Sequence, residues 1–562
     1  MDIFPEHELE PTLHDKVVSG QHIAAVATEK RVNKNVAVTI AVRVGYMVTR
    51  IGIPPFVLAH IGLLSWGIWS TAFLLVQYLG ITNSGLSNVY IKYVAEFDAR
   101  KEYRKANELV STGLTFTLPI CAAIFALIVI FWPALAHFVN LPPEHAHDGK
   151  EAFLIVFAVF LSSLSLQAFP DVLNGMQEIA MVQWFSLISF LVETAAIVLL
   201  VGMGRGVRGL AEAYLARQIV YFGLCIFYNY YKLKWLHISP RLFSRSALRE
   251  VLHFGGIVQL QTLLAVFFAA PERFIGMRML GMEAAGLFDL AKKWPSSTST
   301  VPMSFFSALL PAASNLHAHS QGDSRERNIR ELYLRGARQS NIVGAYFSAL
   351  MAMLPGSIML VWLGKKVSDA SALGSGGGAM TPIQFHDAVI LFALFNVAMQ
   401  IHMLTGTGTS ILRGIGRIYE EFWYALPNLF FLAITLTVAH SLQHRWTILG
   451  IGFAVASATL LAATVFLIRA HHVLRIGNLA YFREVLWPGI APYLVAAVFT
   501  IPVSRLVAHQ NRMAGAGILL CSGFLYTLLL ALVMDWVILH QSERNQWRNV
   551  VHRALRMLPQ LS

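Results

Sequence analysis

Fourteen stretches of this chain run about 20 residues or more with little charge, long enough as helices to cross the roughly 30 Å apolar core of a bilayer. Lipid offers no partners to exposed backbone groups, so a spanning chain must form helices or a closed barrel, and runs of this length select helices. The spans are expected at Val36 to His60, Leu63 to Ile91, Leu109 to Ala136, Ala152 to Leu173, Val182 to Met203, Leu210 to Tyr231, Phe254 to Leu280, Ala284 to Leu310, Gly336 to Leu363, Phe385 to Leu412, Phe422 to His440, Ile448 to Ile468, Trp487 to Val507 and Ala514 to Leu539. With 56% hydrophobic and 13% charged residues, against roughly a quarter charged in soluble domains, the composition excludes a water-soluble fold. The expected class is an all-α polytopic membrane protein.

Lys and Arg fix the orientation. Roughly three times as many fall on the side that holds the amino terminus as on the other, which places both termini in the cytoplasm. The net charge of +12 sits largely in those inside loops, so it is a topology signal and secondarily an attraction to anionic lipid. No nucleic-acid partner is needed to explain it. Residues 1–34 carry no apolar run at their start, so the first span serves as the insertion signal. Cys121, Cys225 and Cys521 lie in apolar spans and form neither a disulfide framework nor a metal cluster. The glycine-rich Leu373 to Ala379 falls in an outside loop and follows no strand, so it is a flexible connector.

An internal repeat organises the chain. Val172 to Trp184 aligns without gaps on Ile411 to Trp423, with Leu173, Gly175 and Trp184 meeting Leu412, Gly414 and Trp423. Tyr93 to Leu109 resembles Leu316 to Leu332 at one constant offset. Spans one to six and seven to twelve thus form two parallel copies, with substrate expected between them near the midplane. The expected organisation is a cytoplasmic tail (1–34), a first lobe (35–232), a basic cytoplasmic linker (233–253), a second lobe (254–470), two extra spans (471–539) and a cytoplasmic tail (540–562).

Leu79 to Glu96, Val172 to Gln177, Leu280 to Lys293 and Phe306 to Ser314 resemble the corresponding signatures of the polysaccharide exporters and lipid-linked oligosaccharide flippases of the MOP superfamily. That resemblance implies two six-helix lobes around a central cavity that opens alternately to either side. Where many relatives place an Asp before the Gly-Leu-Ser of the second span, this chain has Asn83.

Charges inside spans cost a few kcal/mol each and so face protein or a water-filled cavity. Arg43 and Arg50 lie two turns apart on one face of the first span, and Asp289 stands at i,i+3 and i,i+4 to Lys292 and Lys293. Arg273 follows Glu272 late in span seven, and Glu193 and Arg217 read as single charges. Because cations outnumber nearby acids, Arg43, Arg50, Lys292 and Lys293 are expected to meet an anionic, diphosphate-bearing substrate, with Asp289 steadying one lysine. Lys293 is the better-oriented mate for Asp289, leaving Lys292 for the cavity. Arg273 is a further candidate contact, equally readable as a packing ion pair. Tyr46, Trp66, Trp69, Trp184 and Trp423 are available for sugar stacking or interface anchoring. Pro54, Pro55, Pro119, Pro271, Pro295, Pro302 and Pro427 are kinks by default and hinges by extension.

No nucleophile–base pair, metal-spaced cluster or nucleotide loop is visible, so no enzyme and no cofactor are expected. The expected function is export or flipping of a lipid-diphosphate-linked glycan across a bacterial inner membrane. Its partners would be membrane lipids and, beyond them, glycan polymerases or glycosyltransferases. A multidrug/cation antiporter is the first alternative, disfavoured because span one offers arginines and no acid. A non-transporting scaffold of a glycan-assembly complex is the second, and a peptidoglycan-precursor flippase is a close variant.

Overall fold

The computed structural model describes residues 13–79, 83–249, 270–319, 322–364 and 380–535, and all regular structure among them is helical. The helices are α1 (Leu13–Leu79), α2 (Asn83–Ala99), α3 (Tyr103–Ile130), α4 (Trp132–Phe138), α5 (Ala146–Leu166), α6 (Ala168–Gly175), α7 (Ile179–Gly202) and α8 (Gly206–Lys232). They continue as α9 (Pro271–Leu280), α10 (Met282–Thr298), α11 (Thr300–His319), α12 (Gly322–Met353), α13 (Pro355–Leu363), α14 (Pro382–Gly414), α15 (Phe422–Gln443), α16 (Ile448–Leu474), α17 (Trp487–Ala508) and α18 (Arg512–Val533). Ten helical stretches among the described residues are long and apolar enough to cross a membrane, and the bent pair α12–α13 makes an eleventh. One of the ten contains a break at Gly62, where φ 77° and ψ 176° end one helix and begin the next.

Several expected boundaries move. α1 starts at Leu13, so much of the expected polar tail is helical. Residues 80–82 of the expected second span lie outside the described residues, the eighth divides at Ser299 between α10 and α11, and the ninth bends by 77° between Met353 and Pro355. Proline at the start of α13 explains the last of these, since its ring cannot continue the preceding turn. The expected seventh span lies outside the described residues up to position 269.

The two lobes share their backbone irregularities as well as their sequence. Gly62 and Gly281 (φ 91°, ψ −177°) occupy the same region of conformational space, which is open to glycine alone, at corresponding turns. Gln177 and Gly416, paired by the sequence repeat, are both left-handed. A Cβ on Gly175 would come 3.0 Å from Ile91 O and 3.3 Å from Val94, and one on Gly414 would come 2.7 Å from Leu310 O and from Ala313, so this crossing pairs Ile91 with Leu310, four residues out of the register that aligns Tyr93 with Leu316 in sequence. The same small residues thus hold the same helix crossing in each copy.

Lobes meet tightly beside the Gly62 and Gly281 turns. Gly67 and Gly286 face one another there, and a Cβ on Gly67 would lie 2.0 Å from Met282 O. Val57, Leu63, Trp66, Met282, Phe288 and Phe392 are buried in one continuous apolar core that crosses from lobe to lobe. Helices α17 and α18 rest against α12 and α13, with Tyr526 Oη donating to Tyr346 O at 3.0 Å. The outward rows Leu426, Phe430 and Leu442 on α15, and Leu520 and Phe524 on α18, stay exposed, as lipid-facing residues do. Beyond α8 the chain is strapped to α3. Asn107 donates to Trp235 O (2.8 Å) and accepts from His237 N (2.9 Å), while Ser111 and Thr112 accept from Ser239 N (3.1 Å) and Ser244 N (2.9 Å).

Candidate functional site

Two buried charge clusters lie at similar depth, one per lobe. Arg50, Glu272 and Lys292 stand 9 to 12 residues along their helices from the Gly62 and Gly281 turns, about 13–18 Å of helical rise in either lobe.

In the first lobe Glu193 of α7, 2% exposed, receives two guanidiniums. Arg50 of α1 approaches it at 3.3 Å and Arg217 of α8 at 3.5 Å. Aromatic rings complete the enclosure, with Arg50 5.1 Å from the Tyr46 centroid and Arg217 4.0 Å from that of Phe190. Among the described residues one carboxylate meets two permanent cations, which leaves a surplus positive charge, and Arg217 Nε is buried there without a hydrogen-bond partner. Glu193 and Arg217 are therefore not the isolated charges that span-by-span reading takes them for. Arg43 lies on α1, but its side chain is outside the described residues.

In the second lobe the acids alternate with the cations. Lys292 of α10 donates to Glu272 of α9 at 2.7 Å, and Glu272 is fully buried. Arg273 and Lys293 both engage Asp289, at 3.0 and 3.5 Å, and Arg273 also donates to Gln77 at 3.0 Å. The i,i+4 lysine thus takes the aspartate, while the ammonium of Lys292 turns the other way. What the sequence hides is Glu272, which removes the picture of Lys292 as an uncompensated charge. Across this cluster three cations meet two carboxylates, so this lobe too keeps a surplus of one.

Lys292 and Glu272 belong to the wall of a cavity of about 830 Å³ enclosed by α9, α10, α11, α14, α15 and α16. Phe395, His402 and Tyr424 form its aromatic side, with His402 and Tyr424 rings 5.2 Å apart, and Arg413 paired with Glu421 lines it as well. His402 and Tyr424 carry no motif signal, since nothing local distinguishes them from core residues. The aromatic candidates divide by burial. Trp66 lies beneath Lys293 (5.3 Å) and Trp69 packs on Phe73 (4.6 Å), both within the core and closed to a sugar. Trp184 and Trp423 are about half exposed at equivalent places in the repeat, and Arg469 covers Trp423 at 5.2 Å.

A family description of polysaccharide biosynthesis proteins matches residues 65–372, more than half of the chain. The chain belongs to this family. A relative from Bacillus subtilis (strain 168), the uncharacterized membrane protein EpsK, is 19% identical over 87% of this chain and 92% of its own length. A Shigella flexneri relative provisionally described as an O-antigen transporter is 20% identical over 57% of this chain and 75% of its own. Among solved structures, lipid II flippase MurJ in an inward closed conformation superimposes with a TM-score of 0.62 at 11% identity, covering 89% of this chain and 98% of MurJ. At that identity the likeness shows a shared fold.

Proposed function

We propose that this family member moves a lipid-diphosphate-linked oligosaccharide or polysaccharide precursor across the membrane by alternating access between its lobes. The observation that carries this reading is the surplus of one cation in each cluster among the described residues, together with a second-lobe cavity, wide enough for sugar rings, that Lys292 and Glu272 line. A diphosphate diester bears one negative charge on each phosphorus. Its two charges match the two surplus cations, and guanidinium and ammonium groups both bind phosphate oxygens. The lipid tail stays in the bilayer while the headgroup passes between the lobes. Glycans are moved rather than made here, in a bacterial inner membrane with both termini cytoplasmic, beside the glycosyltransferases and polymerases that supply and consume the cargo. Antiport of cationic drugs fits less well, because Glu193, Glu272 and Asp289 are each engaged by Arg or Lys and the net field at the clusters is positive.

Translocation of a fluorescent lipid-diphosphate oligosaccharide in proteoliposomes tests the reading. Arg50→Gln and Lys293→Gln, each of which leaves its own cluster with matched charges, are expected to slow it at least tenfold with protein abundance unchanged. Arg50→Lys restores it in part, since the bidentate fork is lost. Full rates in both Gln variants would make the clusters structural and overturn the proposal.

A further inference from the structure

Asp171, in α6 at the end of the fourth span, is a buried carboxylate that no cation among the described residues pairs with. It is 2% exposed, Oδ1 accepts from Gln167 Nε2 at 3.1 Å, and Oδ2 is buried with no hydrogen-bond partner. The polar groups around it are neutral: Ser87 from α2 and Asn174 from its own helix. The titratable groups facing it are Tyr90 from α2 and Tyr221 and Cys225 from α8, and none of them brings positive charge. From α3, Gly113 stands against the Tyr90 hydroxyl and adds no side chain. A second orphaned acceptor lies next door. Asn229 of α8 spends its amide hydrogens on Phe169 O (3.0 Å) and Cys225 O (2.8 Å), leaving its own buried Oδ1 without a donor.

The second lobe supplies an internal control. The register that pairs Gly175 with Gly414 pairs Asp171 with Ser410, and the register that pairs Ile91 with Leu310 pairs Ser87 with Phe306 and Tyr90 with Leu309. In that register Asn174 meets Arg413, which pairs with Glu421, so the second lobe carries a compensated ion pair beside this crossing where the first lobe carries Asp171. An isolated carboxylate buried at such a crossing is costly and marks ion or proton pathways.

We propose that Asp171 is a site for one small monovalent cation, a proton on Oδ2 or a sodium ion held by that oxygen and its hydroxyl and amide neighbours. Binding neutralises the carboxylate and lets α2, α6 and α8 pack as they do. Release charges it and favours exposure of the crossing to water, which gives the first lobe a switch that the second lobe lacks. Use of that switch to drive translocation rests on the transport reading above; cation binding at Asp171 does not.

Infrared difference spectra of the full-length protein in lipid, between acidic and alkaline buffer and then with sodium replacing potassium, test the site. A carboxylic acid band equal to one group per chain, lost on alkalinisation, absent in Asp171→Asn and displaced in Asp171→Glu, establishes the proton. Carboxylate bands that shift with sodium but not potassium, and only when Asp171 is present, establish sodium. If neither buffer change yields a signal that depends on Asp171, or moves with Asp171→Glu, the inference is overturned. Should that signal appear in a protein that moves no glycan, the transport reading fails and the site stands; glycan movement without the signal removes the site and leaves the transport reading in place.

Discussion

At the scale of single residues, Glu193 decides whether two guanidiniums can remain buried together. Glu193→Gln leaves Arg50 and Arg217 facing each other without a carboxylate, a loss of about 3–5 kcal/mol for a broken buried pair. Thermal unfolding in detergent should show a clearly lower Tm for this variant than for Arg217→Gln, which keeps one intact pair; equal Tm values would mean that the cluster is hydrated and inexpensive. Glu272 sets a similar trap for mutagenesis. Lys292→Gln alone strands a fully buried carboxylate and is expected to destabilise strongly, while Glu272→Gln with Lys292→Gln removes both charges and restores most of the loss. A double variant no more stable than the single one would refute the pairing.

At the scale of elements, the glycines position everything else. Gly62 and Gly281 hold a conformation that costs a residue with a side chain about 1–3 kcal/mol, so alanine at either should lower stability by that amount in chemical denaturation. Gly67 governs the inter-lobe contact. Because its Cβ would collide with the Met282 carbonyl, Gly67→Leu forces the lobes apart beside the turns. Spin labels on Ala59 and Met279 should then separate by several ångströms in pulsed dipolar spectra, and an unchanged distance would show that this contact does not hold that end closed. The strap from Trp235 to Ser244 onto α3 ties the start of the linker to the first lobe.

On the scale of the whole molecule, two parallel copies meet at one end through facing glycines and keep their charge clusters at a common depth. Alternating access needs only that this contact open as the other end closes. The orientation expected from Lys and Arg has a direct check: a reporter fused after Arg338, with the upstream chain intact, should read as cytoplasmic. A periplasmic signal there would invert the assignment of sides without changing the fold.

The helices, the repeat and the choice between Lys292 and Lys293 could all be read along the chain, because each depends on local geometry. A bilayer forces every span to satisfy its own backbone, and i,i+4 spacing alone favours Lys293 as the mate of Asp289. Even Gly175 and Gly414, aligned by the repeat, announce close approach by lacking a side chain. The pairings could not be read this way. Arg50 and Glu193 are 143 residues apart, and Lys292 and Glu272 lie on different helices whose mutual rotation is set by how small residues let backbones approach. The same holds for Asp171, an ordinary aspartate near the end of a span until three helices close around it and no cation among the described residues pairs with it. Charge in lipid acquires its meaning from its neighbours, and the neighbours are chosen by helix packing.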